Sequence, residues 1–419
     1  MSVNYIDEIK QKIATTDRVE MAKRLIVLWQ VAMYGLAYEQ VELPSLLYVL
    51  PSYLSAVVFY YLCCLRPVPF LQYQLIPLTF FLVRFIWAII HGEEIKPELL
   101  TVLTISNLMF LSRESKIWVY MAFRKFMVFM CGAGVICYIS YSLGLGLPHI
   151  TQPYYFGNSI YANFHVAYIT SYANGGMPRL CGLFNEPGYL GTIAAFTLIV
   201  DRMNWRRVGN IIIFVAGVFA FSFAFWILVL LYYLLRHATK PARIVLVVLA
   251  VFGGLAYIQT VKFENESVQF LVNRFAAENG KVKGDNRCTH LFDMMYDDLF
   301  RSDQYMWGRG DNSLNVSHLM TLSYATYIYK YGVVGFALLW LIPMLMACKY
   351  SRKNVLCYVF VAIFFASTYQ RPHFYTPLYF GLLFGGIDYI YSTQKIIEGK
   401  KDDEEEDDET DLDAIKMGL

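Results

Sequence analysis

The stretch Arg206-Arg207-Val208-Gly209-Asn210-Ile211-Ile212-Ile213-Phe214-Val215-Ala216-Gly217-Val218-Phe219-Ala220-Phe221-Ser222-Phe223-Ala224-Phe225-Trp226-Ile227-Leu228-Val229-Leu230-Leu231-Tyr232-Tyr233-Leu234-Leu235-Arg236 decides how this chain is arranged. Its apolar core is long enough for one long helix or for two short ones meeting near Phe221-Ser222-Phe223. Basic loops flank both ends: Arg202, Arg206 and Arg207 before it, Arg236, Lys240 and Arg243 after it. Lys and Arg collect on the cytoplasmic side of a membrane. Both loops lie on that side only if the run crosses twice, so the sequence predicts two short helices with a turn between them.

The composition supports a membrane reading. Hydrophobic residues make up 57% of the chain and charged residues 16%, against about a quarter charged in soluble proteins. Net charge is +2, and no basic stripe suggests nucleic acid. Apolar segments recur near 24–40, 44–65, 69–90, 97–111, 126–143, 188–201, 207–221, 222–236, 242–260, 322–347, 354–370 and 374–392. An uncleaved first helix is expected, because no small-x-small site follows Lys23 and Arg24. The prediction is an all-α, polytopic integral membrane protein of about twelve transmembrane helices, both termini cytoplasmic. Ser112 to Lys125 is expected to lie along the inner interface.

Six regions follow: N-terminal membrane helices over 1–143, a first external loop over 144–187, and central helices over 188–260. A large external loop over 261–321, C-terminal helices over 322–392 and an acidic cytoplasmic tail over 393–419 complete the chain. External loops of such length are commonly functional.

The first loop ends in Arg179-Leu180-Cys181-Gly182-Leu183-Phe184-Asn185-Glu186-Pro187-Gly188-Tyr189-Leu190-Gly191. Asn or Glu just before Pro, with Pro in the first turn, marks a helix start. Arg179 and Glu186 therefore belong at the mouth of a membrane helix whose N-terminal dipole favours an anion.

This run, Arg179, Gly182, Phe184, Glu186, Pro187 and Gly188, resembles that of the polysaccharide repeat-unit polymerases, the O-antigen polymerase and ligase superfamily. The second loop adds Asn273-Arg274-Phe275 and a Gly308-Arg309-Gly310 turn, before a helix ending Tyr331-Gly332-Val333-Val334-Gly335. The resemblance covers roughly residues 100–390. One departure is that Thr321 falls where members often carry His-Asn, with His318 one helical turn earlier.

The resemblance implies glycosyl transfer at the external face of a bacterial inner membrane, from a polyprenyl-pyrophosphate-linked glycan to another repeat unit. Membrane lipids, a chain-length regulator and a flippase are the implied partners. Such chemistry needs fixed cations for the leaving pyrophosphate and a base for the acceptor hydroxyl. Arg179 and Arg274 are the expected catalytic cations, with Arg287, Arg371, Asn185 and Tyr155 binding substrate. Glu186 stands as the base, as the group orienting Arg179, or as a helix cap; His318 competes as base. No His/Asp/Glu spacing suggests a metal, so neither metal nor other cofactor is expected.

Aromatics from Tyr154 to Tyr172 suit either sugar stacking or an interfacial belt. Arg84, in the third span, requires a cavity or an edge. Cys181 and Cys288 are the two external cysteines, either a disulfide or two separate thiols. A ligase transferring finished glycan, or a transporter or flippase, are the competing readings.

Overall fold

The structure is a computed structural model describing residues 18–35, 46–65, 71–94, 99–153, 159–172, 177–237, 277–278, 281–282, 289–314, 323–369, 371 and 374–394. It is mostly helical. Helices α1 (Arg18–Gly35), α2 (Leu46–Leu65), α3 (Ile76–His91), α4 (Leu99–Met109) and α5 (Arg113–Ser142) form the first part. Then come α6 (Pro187–Val200), α7 (Val208–Phe219) and α8 (Phe223–Arg236). After α9 (His290–Arg301) the chain closes with α10 (Tyr324–Tyr350), α11 (Val355–Ser367) and α12, residues 377–394. Gln72–His91, Arg113–Ser142 and Tyr324–Tyr350 are long and apolar enough to cross a membrane. The apolar helices of α4, α6, α7, α8 and α11 are shorter.

Three expectations are corrected. Ser112 to Lys125 does not lie apart from the following span. The Ser112 side chain accepts from Ser115 N and starts a helix that runs unbroken to Ser142, about 45 Å at 1.5 Å per residue. The expected loop 144–187 folds into an antiparallel meander, β1 (Ile150–Pro153), β2 (Ser159–Asn163), β3 (Tyr168–Tyr172) and β4 (Arg179–Gly182), so the fold is not purely α. Alternation explains it: Tyr161 faces Tyr168 and Cys181 in a small core of its own, as strand periodicity requires. The helix that the resemblance would end at Tyr331–Gly335 only bends at Gly332 (φ 66°, ψ −178°) and continues to Tyr350, in keeping with the span expected over 322–347. The span expected over 242–260 and the acidic tail lie outside the described residues.

The 208–236 run is two helices, and they break at the expected place. Phe221 adopts a left-handed φ of 44°, which a bulky residue takes only where surroundings enforce it. Ser222 then occupies the N-cap position of α8 in an extended conformation, without a side-chain capping bond.

Helices α6 and α12 form the centre. Leu190 to Val200 and residues 377–390 are all buried, which is why α6 is apolar on every side. Tyr189 meets Tyr379 near one end (ring centroids 5.7 Å apart), and Val200 packs beside Gly386 near the other. The two helices thus run side by side in the same direction, starting at the end that carries the sheet. Phe196 stacks on Phe364 of α11 at 5.2 Å.

The Gly308-Arg309-Gly310 turn docks on the Gly332 bend. Arg309 N donates to Tyr329 O (2.9 Å) and Gly310 N to Lys330 O (3.0 Å), carbonyls that the bend leaves open. Gly308 has φ 76°, and a Cβ there would fall 2.4 Å from Gly332 N. Gly92 is also left-handed (φ 62°) but open, with nothing within 4 Å of a Cβ. Gly308→Ala should therefore cost more than the roughly 1–3 kcal/mol of local strain that bounds Gly92→Ala. Thermal unfolding of both variants in detergent checks this; equal shifts would contradict the docked turn.

Candidate active site

Arg179 opens β4, the strand nearest the bundle. Its Nε donates to Ala220 O (3.2 Å) and its Nη2 to Phe221 O (3.1 Å). These are carbonyls exposed where α7 stops, and helix ends need such partners. The strand thereby holds the break between α7 and α8. Leu183 N lies 3.4 Å from Met130 Sδ, and Leu180 packs against Gly134 of α5. At the other end of α6, Asp201 pairs with Arg124 of the same α5 at 2.6 Å. Met130 to Gly134 lies about 9–15 Å along α5 from Arg124, with about 12 Å of helix still beyond. The start of α6 is therefore sunk within the bundle.

Glu186 is the N-cap residue of α6, but its side chain makes no capping hydrogen bond. It pairs instead with Arg371, in the segment leading into α12. Of the three roles open to Glu186, its side chain does not serve as the helix cap, and the partner it meets is Arg371. Arg371 also lies over the Tyr189 ring, 6.0 Å from its centroid. Two motif glycines permit the arrangement. A Cβ on Gly188 would collide with the Arg371 guanidinium, and one on Gly191 would sit 2.6 Å from Ser222 Cβ. Glu186, Arg371, Ser222 and the starts of α6, α8 and α12 thus meet at one recessed level, with Arg179 beside them. Helix N-termini carry partial positive charge, so among the described residues two arginines and these termini gather around the Glu186 carboxylate.

Asn185 contributes its backbone carbonyl, which accepts from the Tyr161 hydroxyl. Its residue is exposed. Tyr161, Phe164 and Tyr168 are buried and pack the sheet, which removes them as sugar-stacking faces. Cys181 is a free thiol, fully buried, and burial pushes its pKa up to about 12. Arg274, Arg287, His318, Tyr155 and Cys288 lie outside the described residues.

A second charged group joins α3 to the second loop. Asp311, directly after the Gly308–Gly310 turn, binds Arg84 Nη2 at 2.6 Å and Lys330 Nζ at 2.9 Å. It also accepts from the Tyr331 hydroxyl at 3.1 Å. Glu93 accepts from Asp311 N (2.9 Å) and Asn312 N (2.7 Å). Arg84 thus meets an acid from the second loop. Burial alone would raise the Asp311 carboxyl, but Lys330 and Arg84 outweigh it and hold it below its ordinary value. Aromatic contacts connect the two groups. Arg84 lies 5.8 Å from the Phe80 ring, Phe80 stacks on Tyr375 at 4.3 Å, and Tyr375 meets Phe374 at 4.7 Å, three residues beyond Arg371.

Among the described residues, no three His, Cys, Asp or Glu side chains converge as metal ligands would. No protein-family model matches this chain, and neither the curated proteins nor the solved structures contain a match.

The Glu186–Arg371 pair is partly shielded, with side chains 26% and 13% exposed. Glu186→Gln, Arg371→Gln and the double variant should give a coupling energy of about 0.5–3 kcal/mol, since contacting charged groups are non-additive by that order. Denaturant or thermal unfolding of the four proteins measures it. Additive effects would show that the pair contributes nothing to the fold.

Proposed function

We propose that this chain is an integral membrane glycosyltransferase that joins polyprenyl-pyrophosphate-linked oligosaccharide repeat units into a surface polysaccharide. The observation that carries the reading is the recessed convergence of Arg179, Arg371, Glu186 and the α6, α8 and α12 N-termini. A pyrophosphate leaving group develops negative charge, and prearranged donors and dipoles in a water-poor site stabilise it strongly. Arginine suits the task because it stays charged and grips phosphate oxygens with two parallel hydrogen bonds. The recess fits a substrate whose lipid stays in the bilayer while its headgroup reaches below the surface. In this reading the sheet faces outward, the chain crosses about twelve times, and both termini are cytoplasmic in a bacterial inner membrane. The direction of α6, α7 and α8 agrees with the basic loops at their opposite ends. Glu186 remains a candidate proton acceptor, with Arg371 fixing its position.

A second reading, a lipid-linked glycan transporter, is favoured by one feature. The α7–α8 break and the Gly332 bend are interruptions of the kind that transporters place at substrate sites.

The same experiment separates the two. A deletion strain should carry surface glycans of a single repeat unit; loss of all glycan would indicate a transporter or a ligase. Arg179→Ala, expressed at the normal level, should abolish long chains, because losing a transition-state donor typically slows reaction by roughly 10²–10³-fold. Arg179→Lys should rescue poorly, since a point charge lacks the planar fork. Normal chain lengths from Arg179→Ala would overturn the assignment.

A further inference from the structure

The end of the bundle opposite the sheet gathers arginines around the last turns of α12. Arg202 Nη2 donates to Ile390 O at 3.1 Å. The Arg352 guanidinium lies 4.9 Å from the Tyr391 ring centroid, and that of Arg113 lies 5.9 Å from it. Arg207 donates to the Tyr389 hydroxyl at 2.7 Å, and Arg236 to Arg202 O at 2.9 Å. These cations come from four separate parts of the chain. Arg202 (φ 53°), Arg352 (φ 53°) and Lys353 (φ 62°) all hold left-handed backbones, which carry a strain of roughly 1–2 kcal/mol each for L-residues.

Among the described residues the acids nearby are engaged elsewhere or few. Asp201 takes Arg124 and Arg207, and buried Asp388 takes the Tyr350 hydroxyl and Arg113. Glu114, one residue from Arg113, is exposed. Among the described residues no acid pairs with Arg202, Arg236, Arg352 or Lys353. One or two cations would satisfy the helix C-terminus; the described residues place more than that here.

The sequence supplies its complement. Seven residues separate Gln394 from Asp402, and ten of the twelve residues from Asp402 to Asp413 are Asp or Glu. Seven residues reach at most about 25 Å, so the acidic run begins within range of every cation named. Tethering gives it an effective concentration of about a millimolar.

We infer that the acidic segment 402–413 docks onto the basic face around the end of α12, formed by Arg202, Arg236, Arg352, Lys353 and Arg206, which is exposed in the turn that holds Arg202. Single exposed ion pairs are worth at most about 1 kcal/mol, so the contact acts as a network and is salt-sensitive. It braces the turns at 201–207 and 351–354 against α12. Those turns fix the far ends of α6 and α12, the helices whose other ends place Glu186 and Arg371. The inference does not depend on the reaction proposed above.

Zero-length carbodiimide cross-linking of the full-length protein, in nanodiscs of zwitterionic lipid, tests it by mass spectrometry. Carboxylates of 402–413 should join the exposed amines of Lys349 and Lys353. The yield should fall about tenfold in roughly 0.5 M salt, where screening confines charge interactions to a few ångströms. It should fall likewise in the Arg206→Glu/Arg352→Glu variant. Absence of these links in monodisperse protein would overturn the inference, as would an unchanged yield in the variant. Links joining isotopically distinct copies would place the tail on a neighbour instead. Loss of the links when phosphatidylglycerol is added would make lipid headgroups the occupant; either result contradicts docking within one chain.

Discussion

Arg179 donating to the carbonyls of Ala220 and Phe221 is the contact on which the rest of the site depends. A helix that stops inside an apolar bundle leaves carbonyls that must find donors. Here the donors arrive on the last strand of the sheet. That strand leads within a few residues to Glu186 and Pro187, so fixing Arg179 also fixes the start of α6. The residue is thus a structural lock and, in the function proposed above, a site cation as well. The two roles reinforce one another, because a guanidinium held by two carbonyls keeps its charge in one place.

Short central helices give the site its depth. Helix α6 has 14 residues, about 21 Å at 1.5 Å per residue, against about 30 Å of hydrocarbon in a bilayer. It needs no greater length, because α5, α7, α8, α11 and α12 surround it and lipid does not. Helices α7 and α8 are equally short and turn back at the same level. The missing length is taken up by the sheet, which packs down against the middle of α5. A polar site can therefore sit below the end of the bundle without exposing unpaired backbone to lipid.

Much of this was legible in the sequence. The break at Phe221-Ser222-Phe223 follows from basic loops at both ends of one apolar run, and the start of α6 follows from Glu186-Pro187. The sheet was not legible, since Tyr161, Phe164 and Tyr168 read equally well as an interfacial belt. The pairing of Glu186 with Arg371, and of Arg84 with Asp311, joins segments far apart in the chain, and nothing local specifies either partner. Gly188 and Gly191 are legible as part of the motif, but their packing role is not. Their missing side chains make room for Arg371 and Ser222. Asp311 carried a signal in standing directly after the Gly308–Gly310 turn, where a docked backbone leaves an acid facing two helices.

The central claim is that the recessed arginines bind the anionic head of a lipid-linked substrate. Native mass spectrometry of the purified protein with a polyprenyl pyrophosphate, and in parallel with the matching polyprenol, tests it most directly. The wild-type protein should retain the pyrophosphate, and Arg179→Ala and Arg371→Ala should lose it while all three hold the polyprenol alike. Equal retention of the pyrophosphate by all three proteins would contradict the account.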